Sequence, residues 1–216
     1  MRMYLPFLSL LTSCLLLGGC AIDLGLTPPP ASNHYLLAVS TTTPAQTAMH
    51  KVPTISIDRP QANAFLNSTG IAVIKGDQKV LYYADGQWAT VLPEMMQSAV
   101  IRALNGTQQV RAFNNEQPGI TADYNLIWSI EDFYASYGED KAPPQIMVTL
   151  NCWLVDNITG TTVATSVFAD QQEADELALD PIIVSFNAAV EALLQDMSNW
   201  AVQQITAAES KHDRSK

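Results

Sequence analysis

Chemistry at a protein site needs a nucleophile, a base or a set of metal ligands, and side chains of those kinds are sparse in this chain. Thiols stand at Cys14, Cys20 and Cys152, and imidazoles at His34, His50 and His212. Cys20 is set apart by what precedes it: the basic Arg2, an apolar run from Leu5 to Leu17, then Gly18-Gly19. A charged start, a short apolar stretch and a small-residue site make the pattern of a secretory signal. Cys152 sits in an apolar, alternating run, which predicts a small core hydrophobe, and only the scattered histidines could serve it as a base. Cys14 falls inside that signal pattern and would leave with it.

The other familiar constellations are missing. The chain has no Gly-x-Ser-x-Gly elbow, no Ser-x-x-Lys and no His-Glu-x-x-His, and it lacks a Gly-rich phosphate loop. Glu173, Asp175 and Glu176 read as a solvated acidic loop, and the histidines and thiols have no metal-ligand spacing. No catalytic residue and no metal site is therefore expected, and the chain reads as a protein that is not an enzyme.

Leu17-Gly18-Gly19-Cys20 resembles the lipobox of bacterial lipoproteins. That resemblance implies removal of residues 1–19 and a mature chain that begins at Cys20, carrying covalent diacylglycerol and an N-acyl chain such as palmitate. The alternative, a spanning anchor with an incidental thiol, needs about 20 apolar residues. The run here is shorter and interrupted by Pro6, Ser9, Thr12 and Ser13. Two or more acyl chains make a durable anchor where one gives only reversible attachment. Ala21 follows the cysteine where an aspartate would retain an enterobacterial lipoprotein in the inner membrane, so by analogy the outer membrane, facing the periplasm, is the expected address.

What must be positioned at that membrane is a folded domain. The chain of 216 residues is 48% hydrophobic and 15% charged, enough apolar material for a core. Its formal charge of −10 becomes one unit more negative when Arg2 leaves with the signal, which disfavours nucleic acid and anionic head groups as partners. Residues 20–33 form a lipidated N-terminus and tether containing Pro28-Pro29-Pro30. At about 3.1 Å per residue it reaches at most roughly 40 Å. Residues 34–208 read as a single domain and residues 209–216 as a polar, frayed tail.

Within the domain, His34 to Val39 predicts a first strand and Val52 to Ile57 a half-buried one, ended by Asp58-Arg59-Pro60. Ile71 to Ile74 and Val80 to Tyr83 predict a hairpin around Lys75-Gly76-Asp77, closed by Asp85-Gly86. Leu92-Pro93-Glu94 opens a helix with a Met96, Val100, Ala103, Leu104 stripe, stopped by Asn105-Gly106. Strands follow over Gln109 to Phe113 and Tyr124 to Tyr134, then a hairpin of Ile146 to Leu154 with Val163 to Phe168. Asp180-Pro181 supplies an N-cap and first-turn proline for a long helix to about Ala208, striped by Ile182, Phe186, Val190, Leu193, Met197, Ala201 and Ile205. The fold class is α+β, a mostly antiparallel sheet with two main helices packed on one face, preceded by a lipoprotein signal peptide and short Pro-rich tether.

Aromatic residues are the candidates for partner or lipid contact. Tyr82, Tyr83 and Trp88 cluster before the first helix, and Tyr134 and Tyr137 mark a strand end. Tyrosine and tryptophan are enriched at interfaces, although core packing is the competing reading for Trp88 and Trp128.

Taken together, the lipobox, His34-Tyr35-Leu36-Leu37, Thr54-Ile55-Ser56-Ile57 and Val80-Leu81-Tyr82-Tyr83-Ala84-Asp85-Gly86-Gln87-Trp88-Ala89 before Leu92-Pro93 resemble the auxiliary lipoproteins of ABC-type transport systems. This is the family that includes the paraquat-inducible lipoprotein. The likeness departs at Ala64-Phe65-Leu66, where the family has proline before the aromatic residue. It implies an accessory subunit working with an MCE-domain protein and ABC transporter components to move phospholipid or other hydrophobic molecules between membranes. A ring-like homo-oligomer is also implied by resemblance alone. The rival is an envelope structural or assembly lipoprotein that moves no lipid. A third reading is a lipid carrier with its pocket between the long helix and the sheet.

Overall fold

The computed structural model describes residues 32–38, 52–76, 79–116, 119, 121–138 and 142–214, the side chains of 212–214 excepted. The lipobox residues Leu17, Gly18, Gly19 and Cys20, the tether up to residue 31, Val39 of the first expected strand and Asp77 of the expected turn lie outside the described residues. From Ser32 onward the chain forms one compact unit.

Its sheet has nine strands: β1 Asn33–Tyr35, β2 Thr54–Ile57, β3 Gln61–Ala62, β4 Gly70–Lys75, β5 Lys79–Trp88, β6 Arg111–Asn114, β7 Tyr124–Tyr137, β8 Gln145–Asp156 and β9 Thr161–Glu173. Among the described residues two helices accompany it, α1 Leu92–Gly106 and α2 Leu179–Arg214. The α+β reading holds, and the longest ladders, β7 with β8 and β8 with β9, are antiparallel. The sheet is nonetheless mixed, because β1 runs parallel to β5, β2 to β6 and β7, and both β3 and β4 to β7.

Strand β7 is the spine. One edge carries β8 from Tyr124 to Ser136. The other edge carries three short strands in succession: β2 beside Tyr124 to Leu126, β3 beside Ser129 and Ile130, and β4 beside Ala135 to Tyr137. The chain from Thr54 to Lys75 thus runs alongside β7 and leaves it where Asp58-Arg59-Pro60 and the turn at Asn63 interrupt the ladder. The Trp128 indole N–H donates to the Asp58 carbonyl at 2.7 Å, which holds the first interruption against the spine. In the second, Ala64-Phe65-Leu66 needs no proline: the Asn63 carbonyl accepts from the amides of Leu66 and Asn67 at 2.9 and 3.0 Å, and Leu66 is buried.

Several boundaries differ from the sequence expectation. β1 stops at Tyr35, after which Leu37 drops into the core and the Ala38 amide donates to Asn187 Oδ1 on α2 at 3.0 Å. β2 is buried on both faces, Ser56 included, because it is flanked by β6 and β7 and covered by α1. β5 runs through Asp85-Gly86 to Trp88, since β1 pairs with its last residues. Gly106 is still helical, and the left-handed residue after α1 is Gln108 at φ 59°. Asn105 instead fastens β6, donating to the Ala112 carbonyl and accepting from its amide, both at 2.9 Å. Helix α2 starts at Leu179, and Asp180 does not cap it: its carboxylate accepts the Tyr35 hydroxyl at 2.6 Å, tying β1 to the helix. The tail expected to fray is helical as far as Arg214.

Both helices pack on the same face of the sheet. The inward side chains Leu126, Trp128, Ile130 and Phe133 of β7 and Val148, Leu150, Cys152 and Leu154 of β8 meet Met96, Val100 and Leu104 of α1 and Phe186, Val190, Leu193, Met197 and Ile205 of α2. At the centre, three rings from three elements close on one another. Phe133 stacks on Phe186 at 5.1 Å, and Trp88 meets both edge-on at 5.8 and 5.5 Å. All are at most 1% exposed. Truncating Phe186→Ala removes the α2 member of this cluster and is expected to cost about 3–5 kcal/mol. A urea titration followed by circular dichroism measures it, and a loss under 1 kcal/mol, on the order of a surface change, contradicts the assignment.

Candidate interaction surface

The aromatic candidates do not form one surface. Trp88 is 1% exposed and belongs to the ring cluster of the core. Tyr83 and Tyr137 do come together, hydroxyl to hydroxyl at 2.7 Å, because β4 lies between β5 and β7 and places both on one face. The Lys75 ammonium stands 5.1 Å from the centre of the Tyr137 ring. Burial, and then the hydrogen bond to Tyr137, pushes the Tyr83 hydroxyl well above its ordinary range. Tyr82 points to the other side of β5, its ring over Gly70 and its hydroxyl donating to the Phe65 carbonyl at 3.0 Å. Tyr134 alternates with Phe133 and Ala135 and so faces away from the helices; burial, with the Asp132 carboxylate beside it, raises its pKa.

Around Tyr82 the outer part of β5 is apolar and uncovered, with Val80, Leu81 and Tyr82 each 40–46% exposed. A groove of about 370 Å³ borders it, lined by Tyr82, Tyr83, Gly70, Gln87 and Ser32, the first described residue of the domain. Gly70 is required there because a Cβ would come within 2.4 Å of the Tyr82 ring. Gly86 meets the same demand, with Leu179 and Tyr35 at 2.5 and 2.6 Å from where a Cβ would sit.

A second exposed patch escaped the sequence reading. With both helices on one side of the sheet, nothing among the described residues covers the opposite side of β7, β8 and β9. Ile127 and Trp153 are cross-strand partners there at 40% and 39% exposure, and Val167 on β9 is more open. Trp153 also lines a groove of about 360 Å³ with Gln61, Asn63, Ser129 and Glu131. Period-two alternation marked Ile127 as opposite to Leu126 and Trp128, but no local signal tells which side a helix will cover.

The remaining chemical candidates resolve into structure. Cys152 is 1% exposed, its Sγ 3.6 Å from Met197 Sδ, and burial pushes its thiol up to about 12. At this point β8 and α2 are in direct contact. Glu173 ends β9, while Asp175 and Glu176 are in the exposed turn before α2. Among the described residues no group of His, Cys, Asp and Glu side chains assembles as a metal set. None of the described helices is long and apolar enough to cross a membrane.

The comparisons with known proteins identify the class to which this architecture belongs. The chain belongs to the family of ABC-type transport auxiliary lipoprotein components, which matches residues 35–207. Its fold is similar to that of a Xanthomonas campestris protein of the DUF330 family, with a TM-score of 0.73 and 17% identity over 83% of this chain and 99% of that one. An uncharacterised protein of known structure is also similar, with a TM-score of 0.61 and 13% identity over 80% of this chain and 97% of that one. No curated protein sequence matches the chain.

The thiol gives a test of the buried site. In the unfolded chain Cys152 ionises near its ordinary 9.0, in the folded chain near 12, so the folded state keeps a proton that the unfolded state has lost. Stability is full below the lower value and falls between them by about 1.4 kcal/mol per pH unit from this group alone. Urea midpoints measured from pH 8 to about pH 11 should fall less steeply in Cys152→Ala than in the parent. Equal slopes contradict the burial.

Proposed function

We propose that this chain is a non-enzymatic auxiliary subunit of an ABC-type transport system, held by acyl chains on Cys20 at the outer membrane and facing the periplasm. In that role it works beside an MCE-domain protein and the transporter to move phospholipid or other hydrophobic molecules between the two membranes. The observation that carries the reading is the family match across residues 35–207, nearly the whole folded domain.

The physical features support a docking role. The domain has a close-packed core and two uncovered apolar patches, one on β5 and one on the face of β7, β8 and β9. The first described segment of the domain is fastened to α2 at two points, through Tyr35 of β1 with Asp180 and, beyond the strand, through Ala38 with Asn187. That suits a subunit whose task is to hold a surface in place.

Two measurements test the reading. Solubilised in mild detergent, the tagged lipoprotein should co-purify with MCE-domain and transporter components; its recovery alone, under conditions that keep known complexes intact, contradicts the transport role. Cys20→Ala should leave the protein soluble or as uncleaved precursor. A variant processed to mature size that remains membrane-attached rules out the acyl anchor.

A further inference from the structure

Strand β9 closes one side of the sheet. Its inner edge pairs with β8 along its whole length, and among the described residues nothing pairs with its outer edge. A free edge of 13 residues is a template for another strand, and proteins that keep such an edge single blunt it with lysine, proline or a bulge. Thr161–Glu173 contains no lysine, arginine or proline, and its bulge at Val163 lies close to the hairpin turn, leaving residues 164–173 regular.

The side chains beside this edge have a definite character on each face. On the helix-covered side, Phe168 packs edge-on against Trp200 of α2 at 5.5 Å. Next to it a groove of about 170 Å³ opens between β9 and α2, where Phe168, Ala192 and Leu193 supply apolar wall and Asp170 and Asp196 supply charge. Asp170 accepts the Gln172 side-chain amide at 2.8 Å. The ion pair found among the described residues, Arg59 with Glu94, lies elsewhere, so among those residues neither carboxylate of the groove is matched by a cation. On the uncovered side the edge presents Val167, 64% exposed, next to Ala169 in the same alternation.

We propose that the outer edge of β9 receives an extended segment of a basic partner protein as an added strand, in which lysine or arginine alternates with apolar residues. Main-chain hydrogen bonds to the free edge supply the generic attraction, and alternate side chains supply selectivity. The basic residues fall on the α2 side, their charges at Asp170 and Asp196 and their methylene stems over Phe168 and Ala192. The apolar residues fall on the open side over Val167 and Ala169. The inference rests on the docking role proposed above and not on the nature of the transported molecule.

The test uses the full chain in mild detergent and blocked peptides long enough to span residues 164–171. One alternates valine with lysine, one valine with glutamate, and one is the lysine peptide with alternate backbone nitrogens methylated. The lysine peptide should bind saturably in fluorescence anisotropy and slow hydrogen exchange of the β9 amides. The glutamate and N-methylated peptides should bind about tenfold more weakly or worse. The double variant Asp170→Asn, Asp196→Asn keeps shape and should bind the lysine peptide roughly threefold to tenfold more weakly, with a shallower salt dependence. Equal binding of the N-methylated peptide, protection that maps to β5 in place of β9, or β9 amides already protected by a second copy in the free chain each overturn the proposal. Failure of the lysine peptide while transport components still co-purify rejects this edge alone; loss of co-purification while the peptide binds rejects the transport role alone.

Discussion

The architecture of this domain depends on one long strand having strand neighbours along both of its hydrogen-bonding edges. β7 is 14 residues long, and β8 accounts for one side of it. The other side is paired in three separate stretches by β2, β3 and β4. A backbone amide or carbonyl left unpaired in the interior costs as much as a lost hydrogen bond, so the chain between Thr54 and Lys75 is obliged to follow β7 even where its residues are polar. That obligation explains why β3 exists at all. It is two residues, Gln61 and Ala62, with no apolar pattern of their own, and they are strand because Ser129 and Ile130 need neighbours.

The same spine sets the two faces of the molecule. Once β7 and β8 alternate Leu126, Trp128, Ile130 with Val148, Leu150, Cys152 toward one side, both amphipathic helices have only that side on which to bury their stripes. Helix α2 then ties together elements remote in sequence: Phe186 joins Phe133 and Trp88, Asp180 takes the Tyr35 hydroxyl, and Asn187 takes the Ala38 amide. Among the described residues nothing lies over the opposite side. A domain built this way offers surfaces and edges, and its thiol and its tyrosine pair are absorbed into the packing.

Local patterns carried much of this architecture in plain view. The β8–β9 hairpin followed from alternation around Asp156-Asn157-Ile158-Thr159-Gly160, where the Asp156 carboxylate accepts from the amides of Ile158 and Thr159 and Gly160 takes φ 68°. The long helix followed from its stripe, and the resemblance rested on strands that the structure does contain. The ends of elements were less legible, because they are set by neighbours. β5 extends past Asp85-Gly86 only because β1 comes back to pair with Gly86 to Trp88, and Asp180 is drawn from capping to Tyr35 by a strand 145 residues earlier in the chain.

By itself, then, the sequence determined the class of fold, the amphipathic faces, the signal and lipobox pattern and the scarcity of catalytic groups. These are properties of composition and of spacing within a few turns or strands, and the physics that enforces them is local. Tertiary structure alone decided that the sheet is mixed, that Trp88 is core while Trp153 is surface, and that Tyr83 finds Tyr137. It also decided that β9 ends the sheet with its outer edge unpaired among the described residues. The reason is common to all of these: exposure and pairing depend on which distant segment lies alongside, and alternation records that a strand has two faces without recording which one is covered.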